Sequence, residues 1–270
     1  MMTSCLEEKI HSSLRRTVGS RALSILDKAA EEGELKGIRV FLVGGAVRDM
    51  LLGRKTSDLD IVTEGDASAL ARSLSSDGVS GIREYGRFGT AKVTVGRRSF
   101  FAPWERDFVI DIAMAREEDY VSCGALPRVR PSTLRHDLLR RDFTVNAMAM
   151  GLNGNDAGEI VDVSSGLSDL KNKLLRVLHD KSFMDDPARI FRAARFAARL
   201  SFGIEGNTSE LLKKAVKGGA LRCMRKSKIV NEWSLLVAEK KRRECMAILE
   251  SLLGEEMEFL EKVIRERKRS

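Results

Sequence analysis

Apolar and polar positions follow two periods in the first 165 residues of the chain. Runs in which they alternate, or nearly so, are typical of strands, because successive strand side chains point to opposite faces. Such runs occur at 91–95 and 108–113, and short apolar stretches of strand type occur at 39–43 and 59–63. Helical spacing occurs at 6–33, 46–52 and 66–76. The first helical segment has candidate core positions at Leu14, Leu23, Ile25, Leu26 and Ala29, and its pattern is expected to break at Gly33 and Gly37.

The pattern changes after residue 165. Helix formers dominate from Leu167 onward, and Pro187 is the only proline after residue 131. Breaks between helices are expected near 202–207 and 218–219. We therefore predict an α+β fold, with a strand-and-helix domain over residues 1–165 and an all-helical domain over residues 166–270.

Composition places the chain among soluble folded proteins, with 43% hydrophobic and 32% charged residues. No apolar run approaches the roughly 20 residues of a membrane-spanning helix, and the acidic N-terminus lacks a signal-peptide pattern. The four cysteines are far apart and form no C-x-x-C pair, which argues against a zinc site or a disulfide framework. They are Cys5, Cys123, Cys223 and Cys245. Reduced thiols and a cytoplasmic location are the simplest prediction.

The net charge of +8 is unevenly distributed. Residues 1–170 carry 23 Lys and Arg against 25 Asp and Glu, whereas residues 171–270 carry 24 against 14. The basic surplus lies wholly in the helical part, which favours a polyanionic partner there. A solvated helical surface is the alternative.

Two adjacent glycines, Gly44 and Gly45, lie between the run 39–43 and the helical segment that follows it. Glycine lets a backbone approach an anion closely, and the start of a helix offers free N–H groups to phosphate. The spacing fits neither the G-x-G-x-x-G fingerprint nor a P-loop, so those two kinds of nucleotide site are disfavoured.

Asp58 and Asp60 are two residues apart at the start of a predicted strand, so their carboxylates point to one face. Side by side they repel unless a cation lies between them, and Mg²⁺ accepts one or two carboxylates together with substrate phosphates. Asp111 lies inside another strand-like run and is the candidate third ligand. The alternative for the pair is a strand-end turn with solvated carboxylates.

A second polar cluster follows at 137–147. The adjacent Arg140 and Arg141 have the planar guanidinium geometry that suits phosphate. Asp142 and Asn146 are four apart and would share a helical face. A salt-bridged helix end on the surface is the alternative.

A third cluster, 185–199, begins with Asp186 as a helix cap before Pro187. At about 100° per residue, four arginines fall on one face of this helix and apolar residues occupy the other. The four are Arg189, Arg192, Arg195 and Arg199. No compensating acid shares their face, which favours a ligand-facing stripe over a merely solvated one.

Together these motifs resemble those of the class II tRNA nucleotidyltransferases and bacterial poly(A) polymerases, within the polymerase-β nucleotidyltransferase superfamily. The resemblance runs in family order over residues 38–200. Its motifs are Leu42–Asp49 with Asp58 and Asp60, Tyr85–Thr90, Arg140–Ala147, Asp162–Arg176 and Asp185–Arg199.

The resemblance implies a mixed-sheet head followed by a helical neck, with the family's body and tail domains reduced or absent. It implies that Asp58 and Asp60 hold two Mg²⁺ ions. From its place in a strand-like run, Asp111 is the further catalytic carboxylate, expected to complete the metal site or to accept the proton. The resemblance also implies that Asp186 and Arg189 read the incoming base by hydrogen bonds. The full set of expected nucleotide-binding residues is Gly44, Gly45, Arg48, Arg141, Asp142, Asn146, Asp186, Arg189 and Arg192.

The implied reaction is template-independent addition of nucleotides to the 3′ end of tRNA, from CTP and ATP, with release of pyrophosphate. Full CCA addition is the first expectation, and A-only addition, CC-only addition and poly(A) tailing are alternatives. Two other classes stay open: a catalytically inactive RNA-binding module and a nucleotidyltransferase that modifies small molecules.

Overall fold

A computed structural model describes residues 2–56, 58–75, 79–86, 89–96 and 108–267. The chain packs as two compact units. The first unit comprises Met1–Glu117, Val129–Arg141 and Asn146–Gly166, and the second comprises Glu118–Arg128, Asp142–Val145 and Leu167–Ser270. The break after Gly166 is next to the domain boundary predicted at 165/166, but two short segments of the first predicted domain pack with the second unit.

The first unit is built on a seven-stranded sheet. The strands before residue 165 are β1 (Arg39–Val43), β2 (Asp58–Glu64), β3 (Val79–Tyr85), β4 (Thr90–Val95), β5 (Phe108–Met114), β6 (Arg116–Asp119), β7 (Arg128–Pro131), β8 (Met148–Gly151) and β9 (Ile160–Asp162). The large sheet has the order β3-β4-β5-β2-β1-β8-β9, and β6 and β7 form a separate pair. Only β2 and β5 run parallel, so the sheet is mixed, as predicted.

Within the described residues of this part, five helices accompany the sheet. They are α1 (Met2–Val18), α2 (Ser20–Lys36), α3 (Gly45–Leu51), α4 (Ala67–Ser73) and α5 (Leu134–Leu139). All five core positions predicted for the first helical segment are buried, which confirms that prediction. The expected break at Gly33 is wrong: α2 runs through it. A Cβ at Gly33 would approach Val40 Cγ2 and Asn153 Nδ2 to 2.6 Å, so this glycine permits close packing of α2.

Strand β1 lies in the middle of the sheet and is buried on both faces beyond its first residue. Phe41 and Val43 pack on one face with Val62 of β2 and with Leu134 and Leu138 of α5. Fully burying such a side chain is worth about 1.5–3 kcal/mol, so this layer anchors the strand ends from which the site is built.

The second unit is mainly helical. Its helices after residue 165 are α6 (Gly166–Asn172), α7 (Ser182–Asp185), α8 (Ala188–Leu200), α9 (Gly206–Lys217), α10 (Ala220–Cys223), α11 (Lys226–Val237), α12 (Arg242–Leu253) and α13 (Glu256–Arg267). The predicted breaks coincide with the ends of α8 and α9. Helix α8 packs against α11 and α12.

The expectation of no strand in this part is wrong in detail. Strands β10 (Leu174–Leu175) and β11 (Gly203–Ile204) form a short parallel pair. Each has only two residues, which is too short to leave an alternation in the sequence. None of the helices in the described part of the chain has the length and apolar character needed to cross a membrane.

Candidate active site

A row of residues runs across four neighbouring strands on one face of the large sheet. Val43 of β1 lies opposite Asp60 of β2, and Asp60 lies opposite Asp111 of β5. Lys92 of β4 lies opposite Asp111 in turn. Because directly paired residues project to the same face, these side chains form one line, and Asp58 shares their face two residues before Asp60. The structure therefore brings the three predicted carboxylates together.

Asp60 is the most perturbed of these carboxylates. Burial raises its pKa to about 6, and the neighbouring charge of Asp58 raises it as well. Arg141 and Lys92 lower this pKa, while Asp111 raises it. In the described part of the chain, no hydrogen bond or ion pair engages the carboxylate of Asp58 or Asp60. Burial and the two neighbouring carboxylates thus outweigh the two cations in their effect on the pKa of Asp60.

Asp111 differs from the other two because it has a cationic partner. The ammonium of Lys92 lies 2.8 Å from Asp111 Oδ1, and both side chains are partly exposed. The hydrogen bond to Asp111 raises the pKa of Lys92 above its ordinary value. The sequence interpretation did not include Lys92. Alternation in β4 could have indicated it, since Ala91 and Val93 are buried and Lys92 points away from them.

The donor set suits a metal ion that is completed by a ligand. Among the described residues, no three His, Cys, Asp or Glu side chains are placed to hold a metal ion by themselves. Mg²⁺ commonly takes one or two carboxylates and fills the remaining positions with water and phosphate oxygens. Asp58 and Asp60 offer that composition, and a divalent cation would relieve the repulsion that raises the pKa of Asp60. The residues therefore fit Mg²⁺ shared with a phosphate group.

The chain leaves β1 through Gly44, directly beside the carboxylates. Gly44 has φ 71° and ψ −129°, a conformation that only glycine adopts readily. A Cβ here would lie 2.9 Å from Arg141 Nη1 and 3.8 Å from Asp60 Oδ2. The absence of a side chain thus keeps open the space between a guanidinium and a carboxylate. Gly45 begins α3, and a Cβ there would meet nothing closer than 3.5 Å.

Arg48 lies one turn into α3 and is 4% exposed. Its Nη1 donates to Asn146 Oδ1 at 2.5 Å, and its guanidinium pairs with Asp49 at 2.9 Å. Asn146 is also buried. The structure therefore brings Arg48 and Asn146, two of the residues predicted to bind nucleotide, into direct contact. Asp49, which orients Arg48, lies within the motif Leu42–Asp49, but no role was predicted for it.

Arg140 and Arg141 are both held by one buried carboxylate, that of Asp137. Arg140 Nη2 lies 2.5 Å from Asp137 Oδ1, and Arg141 Nη2 lies 3.0 Å from Asp137 Oδ2. Although burial opposes it, the two guanidinium groups hold the pKa of Asp137 below its usual value. The spacings i, i+3 and i, i+4 could have indicated these pairs. Arg141 is thereby fixed beside Gly44 and Asp60.

The expectation that Asp142 and Asn146 share a helical face is wrong. Helix α5 ends at Leu139, and Asn146 lies in a short 3-10 turn (Thr144–Asn146). The two residues belong to different units. In the second unit, Asp142 accepts a hydrogen bond from Phe143 N–H and forms an ion pair with Arg192 at 2.5 Å.

Asp186 and Arg189 lie at the start of α8 in the second unit. Asp186 Oδ1 accepts from Ala188 N–H at 3.2 Å, which agrees with the predicted cap. Arg189 is buried, and its Nη1 donates to Ser182 Oγ. Ser182 was not among the predicted residues.

The prediction of an uncompensated arginine stripe on α8 is wrong. Arg195 lies 3.1 Å from Glu239, which Arg199 also contacts, and Arg195 lies 3.6 Å from Glu232. The arginine face is therefore largely neutralised within the second unit. Glu232 lies on α11 and Glu239 follows soon after the end of that helix, so no pattern within α8 alone could have shown them.

One motif of the sequence lies partly outside the described residues. Arg87 and Phe88, within Tyr85–Thr90, lie outside the described residues, as does Ser57 before the acidic pair.

Residues 40–176 match the family described as the poly A polymerase head domain. Because this match covers just over half of the chain, the chain belongs to that family, which confirms the resemblance.

Among relatives, the chain is 43% identical over 202 residues to an A-adding tRNA nucleotidyltransferase from Aquifex aeolicus, covering 75% of this chain and 23% of that protein. It is 42% identical over 161 residues to a CC-adding tRNA nucleotidyltransferase from Deinococcus radiodurans, covering 59% of this chain and 40% of that protein. A tRNA nucleotidyltransferase solved with a primer tRNA and an incoming ATP analog superposes with a TM-score of 0.72 at 37% identity, over 84% of this chain and 61% of that chain. This chain thus spans less than two thirds of each.

Proposed function

We propose that this chain adds nucleotides from ATP or CTP to the 3′ end of tRNA and releases pyrophosphate. The observation that carries the proposal is the row in which Asp60 and Asp111 lie side by side, with Asp58 on the same face and Gly44 directly next to them. Two acids that have no ion pair among the described residues, next to a glycine turn without side chains, suit a metal-bound triphosphate.

The proposed metal ligands are Asp58 and Asp60, which would hold two Mg²⁺ ions together with phosphate oxygens of the nucleotide. When bound, such ions lower the pKa of the RNA 3′-hydroxyl and stabilise the charge of the leaving pyrophosphate. Asp111 is proposed to complete the site or to accept the hydroxyl proton. Its ion pair with Lys92 offsets part of its charge.

The triphosphate is proposed to contact Gly44, Gly45, Arg48 and Arg141. The N–H groups at the start of α3 can donate to phosphate oxygens, and guanidinium groups offset charge that develops during transfer. Arg141 is suited to this role because Asp137 fixes its orientation. Arg48, which contacts Asn146, is buried and oriented before any ligand binds, so little ordering is needed.

Base selection is proposed to depend on Asp186 and Arg189, with Asp142 and Arg192 contacting ribose or phosphate. A carboxylate accepts from an exocyclic amine and a guanidinium donates to ring acceptors. Adenine and cytosine both carry an amine at the relevant edge, whereas uracil and guanine carry a carbonyl. The pair would therefore admit ATP and CTP and exclude UTP and GTP.

Whether the reaction is CCA, A-only or CC-only addition depends on which tRNA 3′ terminus the protein accepts as a substrate. The two relatives compared above are named A-adding and CC-adding, so both partial reactions are candidates for this chain beside full CCA addition. Of the two, we favour A-only addition, since that relative is matched over the larger share of this chain.

The test uses tRNA transcripts that end before the CCA sequence, after its first C, after CC and after CCA. Each is incubated with one labelled nucleotide at a time and read on a sequencing gel. A-only activity extends the CC-ended transcript with ATP alone, whereas full addition also extends the shorter ends with CTP. Labelled aminoglycosides with no reaction on tRNA would indicate the small-molecule class. Retention of tRNA without incorporation would indicate the RNA-binding module.

A further inference from the structure

Asp186 has a second partner that is distant in sequence. Lys228, in the first turn of α11, places its Nζ 2.8 Å from Asp186 Oδ1. The same oxygen also accepts the N–H of Ala188 at 3.2 Å. In the described part of the chain, the other carboxylate oxygen, Oδ2, has no hydrogen-bond partner. Two donors thus hold one oxygen of Asp186 and leave the other available.

Both side chains of this ion pair line a cavity in the second unit. Its volume is about 400 Å³, and Tyr120, Arg225 and residues 124–127 also line it. Side-chain exposure is 45% for Lys228 and 26% for Asp186, so a small molecule can approach the pair. A ligand in this cavity can therefore reach the carboxylate of Asp186, to which Oδ2 belongs.

We propose that Lys228 is a positioning residue for nucleotide selection, which fixes the carboxylate of Asp186 so that its second oxygen accepts the exocyclic amine of the incoming base. This inference rests on the proposed function. Holding Oδ1 between an ammonium and a backbone N–H restricts rotation of the carboxylate, and a hydrogen bond that selects between bases needs a fixed acceptor. Without Lys228, and among the residues that the structure describes, the hydrogen bond from Ala188 N–H would be the only one left to restrain the carboxylate.

The alternative is an ordinary surface ion pair, which would contribute little to stability and nothing to selectivity. Another lysine of α11 provides the matched comparison. Lys226 is two residues away and forms an exposed pair with Glu266 at 2.7 Å. It does not line the cavity that contains Asp186.

The experiment compares Lys228→Met, Lys228→Arg and the control Lys226→Met in the full chain. The readout is kcat/KM for ATP, CTP and UTP on the tRNA terminus that the unaltered protein extends, with the melting temperature measured alongside. Lys228→Met should lower the preference for the accepted nucleotide over UTP about tenfold, the size of one hydrogen bond. The change should fall mainly on KM for the accepted nucleotide. Lys228→Arg should restore most of the preference, and Lys226→Met should leave it unchanged.

An unchanged preference in Lys228→Met, while Asp186→Ala relaxes it, would overturn the inference and leave the proposed function intact. Failure of the unaltered protein to extend any tRNA would overturn the proposed function itself. The double variant Lys228→Met with Asp186→Ala adds a further check, since a residue that acts through Asp186 should have no additional effect once Asp186 is removed.

Discussion

Two groups of charged residues in this protein differ in how their charge is balanced. In the first unit, Asp58 and Asp60 have no ion-pair partner among the described residues, and burial raises the pKa of Asp60 to about 6. In the second unit, Arg195 and Arg199 on α8 share the carboxylate of Glu239. In the sequence, each group is a set of like charges close together. Among the described residues, only the arginines form ion pairs with residues of opposite charge.

The difference separates charges that stabilise the fold from charges that await a ligand. A buried charge without a partner costs free energy, so a fold that retains one has a use for it that folding alone does not explain. A fully paired cluster needs no ligand to account for it. The comparison therefore predicts opposite consequences: neutralising the acids should harm activity and spare stability, whereas breaking the arginine cluster should harm stability and spare activity.

The largest expected effect concerns activity in the first unit. Asp58→Asn and Asp60→Asn should each lower nucleotide incorporation at least about 10³-fold, because several kcal/mol of charge stabilisation depend on the metal that these acids are proposed to hold. Single-turnover incorporation into tRNA measures the loss. The melting temperature should not fall in either variant, since neither carboxylate has a hydrogen bond or ion pair in the described residues.

Turnover close to that of the unaltered protein in either variant would remove the metal assignment. A loss of activity accompanied by unfolding would contradict the comparison instead, because it would show that these acids stabilise the fold.

The next effect concerns stability in the second unit. Glu239→Ala should lower the free energy of unfolding by about 2–3 kcal/mol, since it leaves Arg195 and Arg199 without their shared carboxylate. Glu239 is 11% exposed, but Arg199 is partly exposed and recovers some hydration, which keeps the loss below that of a fully buried pair. Denaturant titration measures this loss.

The control is Glu266→Ala, which removes an exposed ion pair with Lys226 and should cost less than about 1 kcal/mol. Equal losses in the two glutamate variants would mean that the arginine cluster contributes no more than a surface pair. Incorporation per folded molecule should stay unchanged in both.

The sequence predicted the acidic row better than the arginine cluster, and the reason is geometric. A strand repeats every two residues, so Asp58 and Asp60 necessarily share a face, and the alternation in 108–113 predicts that Asp111 lies in a strand. The structure pairs that strand with β2. Glu239, the partner that Arg195 and Arg199 share, lies about 40 residues away in the chain, beyond the end of α11. Tertiary packing decides that contact, and no period within one helix contains it.

Other misses have similar causes. Strand β8 reads Met-Ala-Met-Gly and is buried on both faces, so it has neither alternation nor β-branched residues to mark it. The shared helical face of Asp142 and Asn146 assumed that α5 continues, but it ends at Leu139. Gly33 was expected to break a helix, whereas packing against Val40 and Asn153 requires glycine there.

A smaller effect is expected at Gly44, in the turn next to Asp58 and Asp60. Gly44→Ala should lower the free energy of unfolding by about 1–3 kcal/mol, because alanine is strained at φ 71° and ψ −129°. The added Cβ would also press on Arg141 Nη1, so KM for the nucleotide should rise. Gly45→Ala is the matched control: its Cβ meets only ordinary contacts, and its stability should change by less than about 0.5 kcal/mol. If the two variants behave alike, the requirement for glycine at 44 is not conformational.

The smallest effect is the contribution of Asp60 to the dependence of stability on pH. Its pKa is about 6 in the folded protein against an ordinary value of 3.8, so the folded state retains a proton that the unfolded state releases. This contribution is fully present below the unfolded pKa and is lost as pH rises through about 6. If the whole pKa shift of Asp60 acted on the free energy of unfolding, the loss would be about 3 kcal/mol. Because Asp60 has partial solvent access, the expected loss is about 1–2 kcal/mol.

Other groups also titrate over this range, so the measurement is a difference between two proteins. Without divalent cations, the free energy of unfolding of the unaltered protein should fall more between pH 4.5 and pH 7.5 than that of Asp60→Asn, by the same 1–2 kcal/mol. Parallel profiles would show that Asp60 is balanced after all and that the contrast with the arginine cluster is smaller than proposed. Mg²⁺ at pH 7.5 should then raise the melting temperature of the unaltered protein and leave that of Asp60→Asn nearly unchanged, because the cation stabilises only a carboxylate that can ionise.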